Sequence, residues 1–342
     1  MPIFGAFTQD VAVDLGCSTV RVYVRGKGLV AVEPNLVAVR RSGPNCGEVL
    51  SVGVEAAHMI GRTPQEVAVV RPVRGGAISD LDCMEAMLRH LAHETGFLGA
   101  LRRPRLTIPV PLDLSSVERR AVQECGKQIG AREVRMLPKV VAAAIGLGLS
   151  EEKPQGHFIL DIGGGTTEAA VVSISGVVTS RTLRIGGTSL NEALQNFVRR
   201  KFNLLIGDET AERLKLVLGS AYPSDLTRRL EIRGRDLISG VPKAVEIHSE
   251  ETREALEESV SEIVGVVSEL LEQTPPEVAS DIFSQGLVMI GGGSLLGHLD
   301  LRLREATGLV AVRADDGTNT VVMGAGKVLE DPEGYAGLFT AQ

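Results

Sequence analysis

Short apolar runs closed by glycine or proline alternate along the chain with stretches in which apolar positions recur every three or four residues. Strands and helices are therefore interleaved from end to end, with no disordered linker between them. Val11-Ala12-Val13 and Phe158-Ile159-Leu160 have the unbroken apolar character of buried strands. An aspartate-led glycine turn follows each, Asp14-Leu15-Gly16-Cys17-Ser18-Thr19 and Asp161-Ile162-Gly163-Gly164-Gly165-Thr166-Thr167. A second strand-like run comes next, over residues 21–24 and 169–174. The repetition of strand, turn and strand predicts an internal duplication and two β-hairpins. Ser115 and Glu118 have the spacing of a capping box, which predicts a helix that ends at Gly130. A strand over 133–137, helices over 140–147, 191–201 and 209–218, and a strand over 286–290 complete the outline.

The two turns carry candidate chemistry. Glycine at a hairpin tip removes the Cβ and lets successive backbone amides point at one anion, and the hydroxyls of Ser18, Thr19 and Thr166 add donors. Asp14 and Asp161 cannot touch phosphate, since like charges repel, but they can hold a hydrated Mg2+ that phosphates share. One such turn alone reads as an ordinary β-turn; a pair predicts a polyphosphate clamp. A third cluster, Gly291-Gly292-Gly293-Ser294, follows the strand over 286–290, and Gly186-Gly187 follows Leu183-Arg184-Ile185. The 291–294 cluster, taken by itself, is equally well a simple strand-to-helix turn.

Together these segments resemble the phosphate-1, phosphate-2 and adenosine motifs of the actin, sugar kinase and Hsp70 ATPase superfamily. Val32-Glu33-Pro34-Asn35, Gly61-Arg62-Thr63-Pro64, Val117-Glu118-Arg119-Arg120-Ala121-Val122, residues 199–207 and Met323-Gly324-Ala325-Gly326-Lys327 narrow the resemblance to the MreB/Mbl family of bacterial actin homologues. It runs from about Val11 to Glu330. It implies an α/β, actin-like two-lobed fold of duplicated ribonuclease H-like domains, with an interlobe nucleotide cleft and two small appended subdomains. The expected division is 1–32, 67–146 and 320–342 for the first lobe's core and 33–66 for its small subdomain. The second lobe's core takes 147–182 and 243–319, and its small subdomain 183–242. ATP with Mg2+ is the implied cofactor. Gly16, Cys17, Ser18, Thr19, Gly163, Gly164, Gly165, Thr166, Gly186, Gly187, Gly291, Gly292, Gly293 and Ser294 are the implied nucleotide contacts. The segment Ala211, Glu212, Arg213, Leu214 and Lys215 joins them, with Glu212 and Lys215 flanking the adenosine; an exposed ion pair is the plain alternative for those two. The helix over 140–147 corresponds to an interlobe crossing.

Composition bears on the remaining classes. The chain has 342 residues, 44% hydrophobic but only 3% aromatic, with no Trp, so its cores are built from Val, Leu, Ile and Ala. A formal charge of −7 argues against nucleic acid as a partner. Cys17, Cys46, Cys83 and Cys125 form no CxxC pair and no zinc spacing, as expected of a reduced, cytoplasmic protein. There is no signal peptide and no apolar run near 18 to 20 residues, so membrane contact would be peripheral.

Three departures from the family pattern bear on mechanism. The family's usual Glu-Glu-Pro before Ala-Ala-Ala-Ile-Gly is replaced by Pro138-Lys139-Val140. An ammonium offers donors only and cannot orient an attacking water, so hydrolysis is expected to be weak or absent, with Lys139 near the γ-phosphate. Thr166, Asp113 and Glu118 remain as candidates to position water. The usual Gly-Thr-Ala-Asn-Thr is Gly16-Cys17-Ser18-Thr19-Val20, and Thr188 stands where Asp is usual, so polar contacts to the ligand are fewer.

For the membrane, Phe97, Leu98 and Leu101 beside Arg102, Arg103 and Arg105 suggest an inserting loop, with Phe and Leu tucked under the loop as the alternative. Residues 1–7 supply Ile3, Phe4 and Phe7 as a second apolar segment. The resemblance implies a filament built of copies of this chain at the inner face of the plasma membrane, organising cell-wall synthesis and cell shape. A degenerate paralogue regulating another such filament is the alternative. A small-molecule kinase is the weaker one, because no carboxylate base stands at 138–139.

Overall fold

The computed structural model describes residues 9–41, 47–98, 103–149, 155–173, 176–224 and 227–335. The chain forms two compact units, residues 1–154, 172–177 and 318–342 in one and 155–171 and 178–317 in the other.

The first unit is built on a five-stranded sheet in the order Glu133–Pro138, Arg105–Val110, Asp10–Leu15, Thr19–Val24, Gly28–Pro34. The first two pairings are parallel and the last two antiparallel. Asp10–Leu15 is central and buried along almost its whole length, which is why it lacks polar alternation. Thr19–Val24 does alternate: Val20, Val22 and Val24 are fully buried and the residues between them are half-buried. Helices Leu81–Thr95 and Ser116–Gln128 supply Met84, Met87, Leu88, Leu91, Val122 and Cys125 to the same apolar core. The Ser115–Glu118 capping box is present, and the chain leaves the helix through Gly130 at φ 89°. A small three-stranded sheet, Glu48–Val52, Val37–Arg40 and Val67–Val70, with helix Val54–His58, encloses Leu36, Ala38 and Ala56.

Helices Lys139–Leu147 and Thr320–Glu330 cross within this unit at backbone distance. A Cβ on Gly324 would lie 1.7 Å from the Ala142 carbonyl oxygen, and one on Gly146 would lie 2.2 Å from the carbonyl oxygen of Thr320. The Lys327 ammonium donates to the Ile145 carbonyl at 3.0 Å, closing the open end of the first helix.

In the second unit the order is Gly176–Leu183, Thr167–Ser173, His157–Ile162, Leu287–Ile290, Ala311–Arg313, the last two pairings parallel. This repeats the strand order of the first unit, so the duplication read from the two turns is a duplication of sheets. Helices Gly187–Phe202, Asp208–Leu218 and Ser249–Glu272 and the three-stranded sheet Leu204–Leu205, Arg229–Asp236, Pro242–His248 share one apolar core with it.

The loop after Leu81–Thr95 departs from expectation. Phe97 is fully buried in the first unit's core, and Leu98 packs half-buried against it. Gly96 in the left-handed conformation ends the helix and turns the chain inward, so the Phe97 ring fills the core instead of projecting from a loop tip. Arg105 is also committed: its guanidinium makes two 2.6 Å bonds to Asp10, which Arg25 contacts at 3.2 Å. Burial alone would raise the Asp10 carboxyl, yet the two guanidinium groups hold it below its usual value. Phe97 and Arg105 are therefore removed from the membrane-contact set; Leu101, Arg102 and residues 1–7 lie outside the described residues. Phe97→Ala is expected to cost about 3 to 5 kcal/mol, read as a shifted denaturation midpoint. A shift smaller than about 1 kcal/mol would contradict the burial.

Candidate functional site

In the first unit the turn sits at the carboxyl end of the central strand. Two bonds from one residue hold it: the Asn35 side-chain amide donates to the Gly16 carbonyl at 2.8 Å, and the Asn35 backbone amide donates to Ser18 at 2.9 Å. Asn35 is fully buried. A third anchor is the Gly76 amide, which donates to the Cys17 sulfur at 3.3 Å. Burial raises the Cys17 thiol above its ordinary value, so it is a neutral acceptor at pH 7 rather than a reactive thiolate. Asp14 is buried beneath the turn with the Arg21 guanidinium 3.8 Å away, and Arg21 is tied in turn to Asn319 at 2.9 Å.

Lys139 is the first residue of helix Lys139–Leu147 and is half-buried. It follows directly on strand Glu133–Pro138, which lies two positions across the sheet from the strand that carries the first turn. Asp113 is exposed. The Glu118 carboxylate accepts from the amide and hydroxyl of Ser115 at 2.8 Å, so it serves the helix cap and is removed as a candidate to position water.

In the second unit the remaining glycine turns meet. Asp161 is buried one residue before the end of the central strand, and the turn closes with Gly163 donating to Thr166 at 2.8 Å. Gly187 and Thr188 donate to the carbonyls of Gly163 and Gly164 at 2.9 and 2.7 Å. This fixes the start of helix Gly187–Phe202 against the turn. Among the described residues the amides of Gly164 and Gly165 at the tip have no backbone acceptor. The close approach requires glycine: a Cβ on Gly186 would meet the Gly163 carbonyl oxygen at 2.7 Å, and one on Gly291 would meet the Ile162 carbonyl oxygen at 2.4 Å and Asp161 at 2.5 Å. Gly291 has φ 80°. The chain after it forms a 3-10 turn, Gly292–Leu295, rather than a long helix. Ser294 is buried and donates back to Gly291 at 2.7 Å, so its hydroxyl shapes the turn.

Glu212 and Lys215 form more than an exposed ion pair. The Lys215 ammonium donates to Glu212 and to the Gly187 carbonyl, both at 2.9 Å, and Asn191 donates to Glu212 at 2.7 Å. One helix is thereby locked to the start of the other beside the phosphate-binding candidate. Ala211 and Leu214 are fully buried in the core and Arg213 is exposed. The two apolar residues have no surface to offer a ligand; they fix the helix that presents Glu212 and Lys215, and are removed from the contact set for that reason.

Asn35 and Asn191 were not among the sequence candidates. The signal for Asn35 was available: it closes the family-like Val32-Glu33-Pro34-Asn35 stretch, but nothing in the sequence tells which backbone groups a buried amide will serve. Asn191 stands on the helix that follows Gly186-Gly187, and its partner Glu212 lies on a different helix.

The MreB/Mbl protein family matches residues 8–336. The chain is 44% identical to the cell shape-determining protein MreB of Escherichia coli strain K12, over 99% of this chain and 98% of that protein. It is 38% identical to the cell shape-determining protein Mbl of Bacillus subtilis strain 168, over 95% and 97%. MreB5 of Spiroplasma citri bound to ADP matches with a TM-score of 0.88 at 33% identity, covering 96% of this chain and 98% of that one. MamK from a double helical filament shares the fold, with a TM-score of 0.78 at 20% identity over 95% and 99%. With the duplicated sheets, the glycine turns at their carboxyl ends and full-length similarity all in agreement, the chain has the actin-like fold and belongs to the MreB/Mbl family.

Proposed function

We propose that this chain is a cytoskeletal protein that binds ATP and assembles into filaments of its own copies, organising cell-wall synthesis and cell shape. The observation that carries the nucleotide reading is the convergence of three glycine turns in the second unit, with two tip amides available and Lys215 and Glu212 held beside them. Backbone amides in such a turn suit phosphate oxygens, and the Spiroplasma relative has been solved bound to ADP and to AMPPNP. Asp14 and Asp161 are each buried under the turn of their own unit, and either carboxylate suits a Mg2+ held through water, with phosphates supplying its other ligands. The ion neutralises phosphate charge when bound; the turns orient the phosphate tail.

Hydrolysis is proposed to be weak. Lys139 stands at the start of its helix, where a carboxylate would be needed to orient water, and Glu118 is engaged in its cap. Thr166 remains the hydroxyl candidate near the terminal phosphate. Membrane contact is proposed to be peripheral, carried by Leu98, Leu101 and residues 1–7. No helix among the described residues is long and apolar enough to cross a membrane.

Sedimentation and negative-stain microscopy of the purified chain with Mg-ATP, with and without anionic vesicles, test this reading. Filaments that form with ATP and associate with the vesicles are expected. Nucleotide binding without assembly would favour the paralogue that regulates another filament, and binding of neither nucleotide nor vesicles would reject the proposal.

A further inference from the structure

The second unit exposes large apolar side chains at two places away from its glycine turns. Between strands Arg229–Asp236 and Pro242–His248 the hairpin tip presents Ile238, 82% exposed, with Leu237 and Val241 exposed beside it. The tip is firmly built. The buried Asp236 carboxylate accepts from the amides of Ile238 and Ser239 at 2.9 and 2.8 Å, and the Leu237 amide donates to the Asn203 carbonyl at 2.8 Å. The other place is helix Pro276–Gln285, where Ile282 turns into the core and Phe283, 78% exposed, turns out. One turn further on, a Cβ on Gly286 would lie 2.2 Å from the carbonyl oxygen of Val310, itself exposed, so Phe283 and Val310 share the amino end of the sheet. Helix Ser249–Glu272, 24 residues or about 36 Å long, separates the two places. Near its start Glu251 holds Lys201, two residues before Asn203, at 2.9 Å, and its far end leads into helix Pro276–Gln285.

Charge divides in the same sense. Residues 228–248, the hairpin, have five cations and three carboxylates, whereas residues 254–301 have nine carboxylates and neither Lys nor Arg. Two of the hairpin cations are paired within it, Arg233 with Glu231 and Lys243 with Asp236, both at 3.1 Å. Arg235 is exposed near the tip, and Glu272 and Glu277 are exposed around the start of the Phe283 helix. The helix before Val310 adds Arg304 and Glu305, one of each sign. One unit therefore has an apolar tip on a net basic hairpin toward one end and an apolar face in acidic surroundings toward the other. Unlike surfaces on one chain match between successive copies, and such a heterologous contact builds a ring or an open filament. We propose that the Ile238 hairpin of one copy seats on the face of Phe283 and Val310 of the next, so that second units join head to tail and give the filament its polarity. This deepens the self-assembly reading above and rests on it.

The test is sedimentation velocity and negative-stain microscopy of the full chain with Mg-ATP, just above the wild-type assembly threshold, for the wild type, Ile238→Asp and Phe283→Asp. Both positions are exposed, so each variant is expected to keep the wild-type circular dichroism, thermal midpoint and ATP affinity. A carboxylate forced into an apolar contact raises the threshold by about 10-fold to 100-fold, so each variant alone is expected to stay monomeric. Mixed in equal amounts they are expected to form a dimer and nothing longer. Phe283→Asp keeps the hairpin and Ile238→Asp keeps the face, and each blocks growth at one end. Wild-type filaments together with an unaltered threshold in either variant, or a mixture of monomeric variants that stays monomeric, would overturn this inference alone. An Ile238→Asp chain that assembles in solution but no longer sediments with anionic vesicles would also overturn it, assigning the hairpin to a lipid surface. A wild type that forms no filament under any condition would overturn the self-assembly reading itself.

Discussion

Gly324→Val is expected to destabilise the first unit by about 4 kcal/mol or more, beyond the range of ordinary point substitutions. Its Cβ would sit 1.7 Å from the Ala142 carbonyl oxygen and 2.7 Å from the Gly146 amide nitrogen. Both obstacles are main chain of a neighbouring helix, which cannot rotate aside as a side chain would. The helices must separate, and Val321, Val322, Ala325 and Val328, now buried, would lose packing. A matched control is Gly265→Ala. That glycine lies in the Ser249–Glu272 helix, where an added methyl would meet nothing within 4 Å, and alanine there is expected to add about 0.5 to 1 kcal/mol through helix propensity. Urea denaturation of the two variants should shift in opposite directions. Equal shifts would show that the helix crossing is not the tight contact described.

Gly291→Ala is expected to weaken ATP binding by about 100-fold or more while the first unit stays folded. Two effects act together. At φ 80° an alanine is strained by about 1 to 2 kcal/mol. Its methyl would also collide with Asp161 and with the carbonyl of Ile162 at 2.5 and 2.4 Å, and relief requires the turn to withdraw from the strand end that carries the proposed Mg2+ ligand. Gly292→Ala provides the comparison, because a Cβ there meets no protein atom within 4 Å. Its effect on binding reports ligand contact directly, whereas that of Gly291→Ala reports the shape of the turn. Undiminished ATP affinity in Gly291→Ala by calorimetry would exclude this turn from the nucleotide site.

What could be read in advance was whatever local chemistry dictates. The duplication showed itself because an aspartate, a glycine turn and two apolar runs are each required wherever such a hairpin ends a buried strand. The Ser115–Glu118 cap was legible because its bonds span three residues, and Pro138 marked the opening of the next helix because proline is tolerated where a helix begins. Phe97 was misplaced because an apolar pair after a helix-ending glycine is compatible with either face of a loop, and only the direction set by Gly96 decides. Arg105 was counted as a free cation because its partner, Asp10, is 95 residues away in sequence. Ala211 and Leu214 were assigned with Glu212 and Lys215 as one segment, although a helix turns successive residues to different sides and sends these two inward.

Asn35 is one of the links between two parts of the first unit, beside the bond from the Val54 amide to Glu33. It follows strand Gly28–Pro34, precedes the small sheet at Val37–Arg40, and holds Gly16 and Ser18 by two bonds. A tilt of the small sheet therefore pulls on the first turn through a lever arm of two residues, by one backbone bond and one bond from the buried Asn35 side chain. Force applied at that sheet reaches the turn as a displacement of backbone amides, and a ligand gripped by those amides resists the tilt in return.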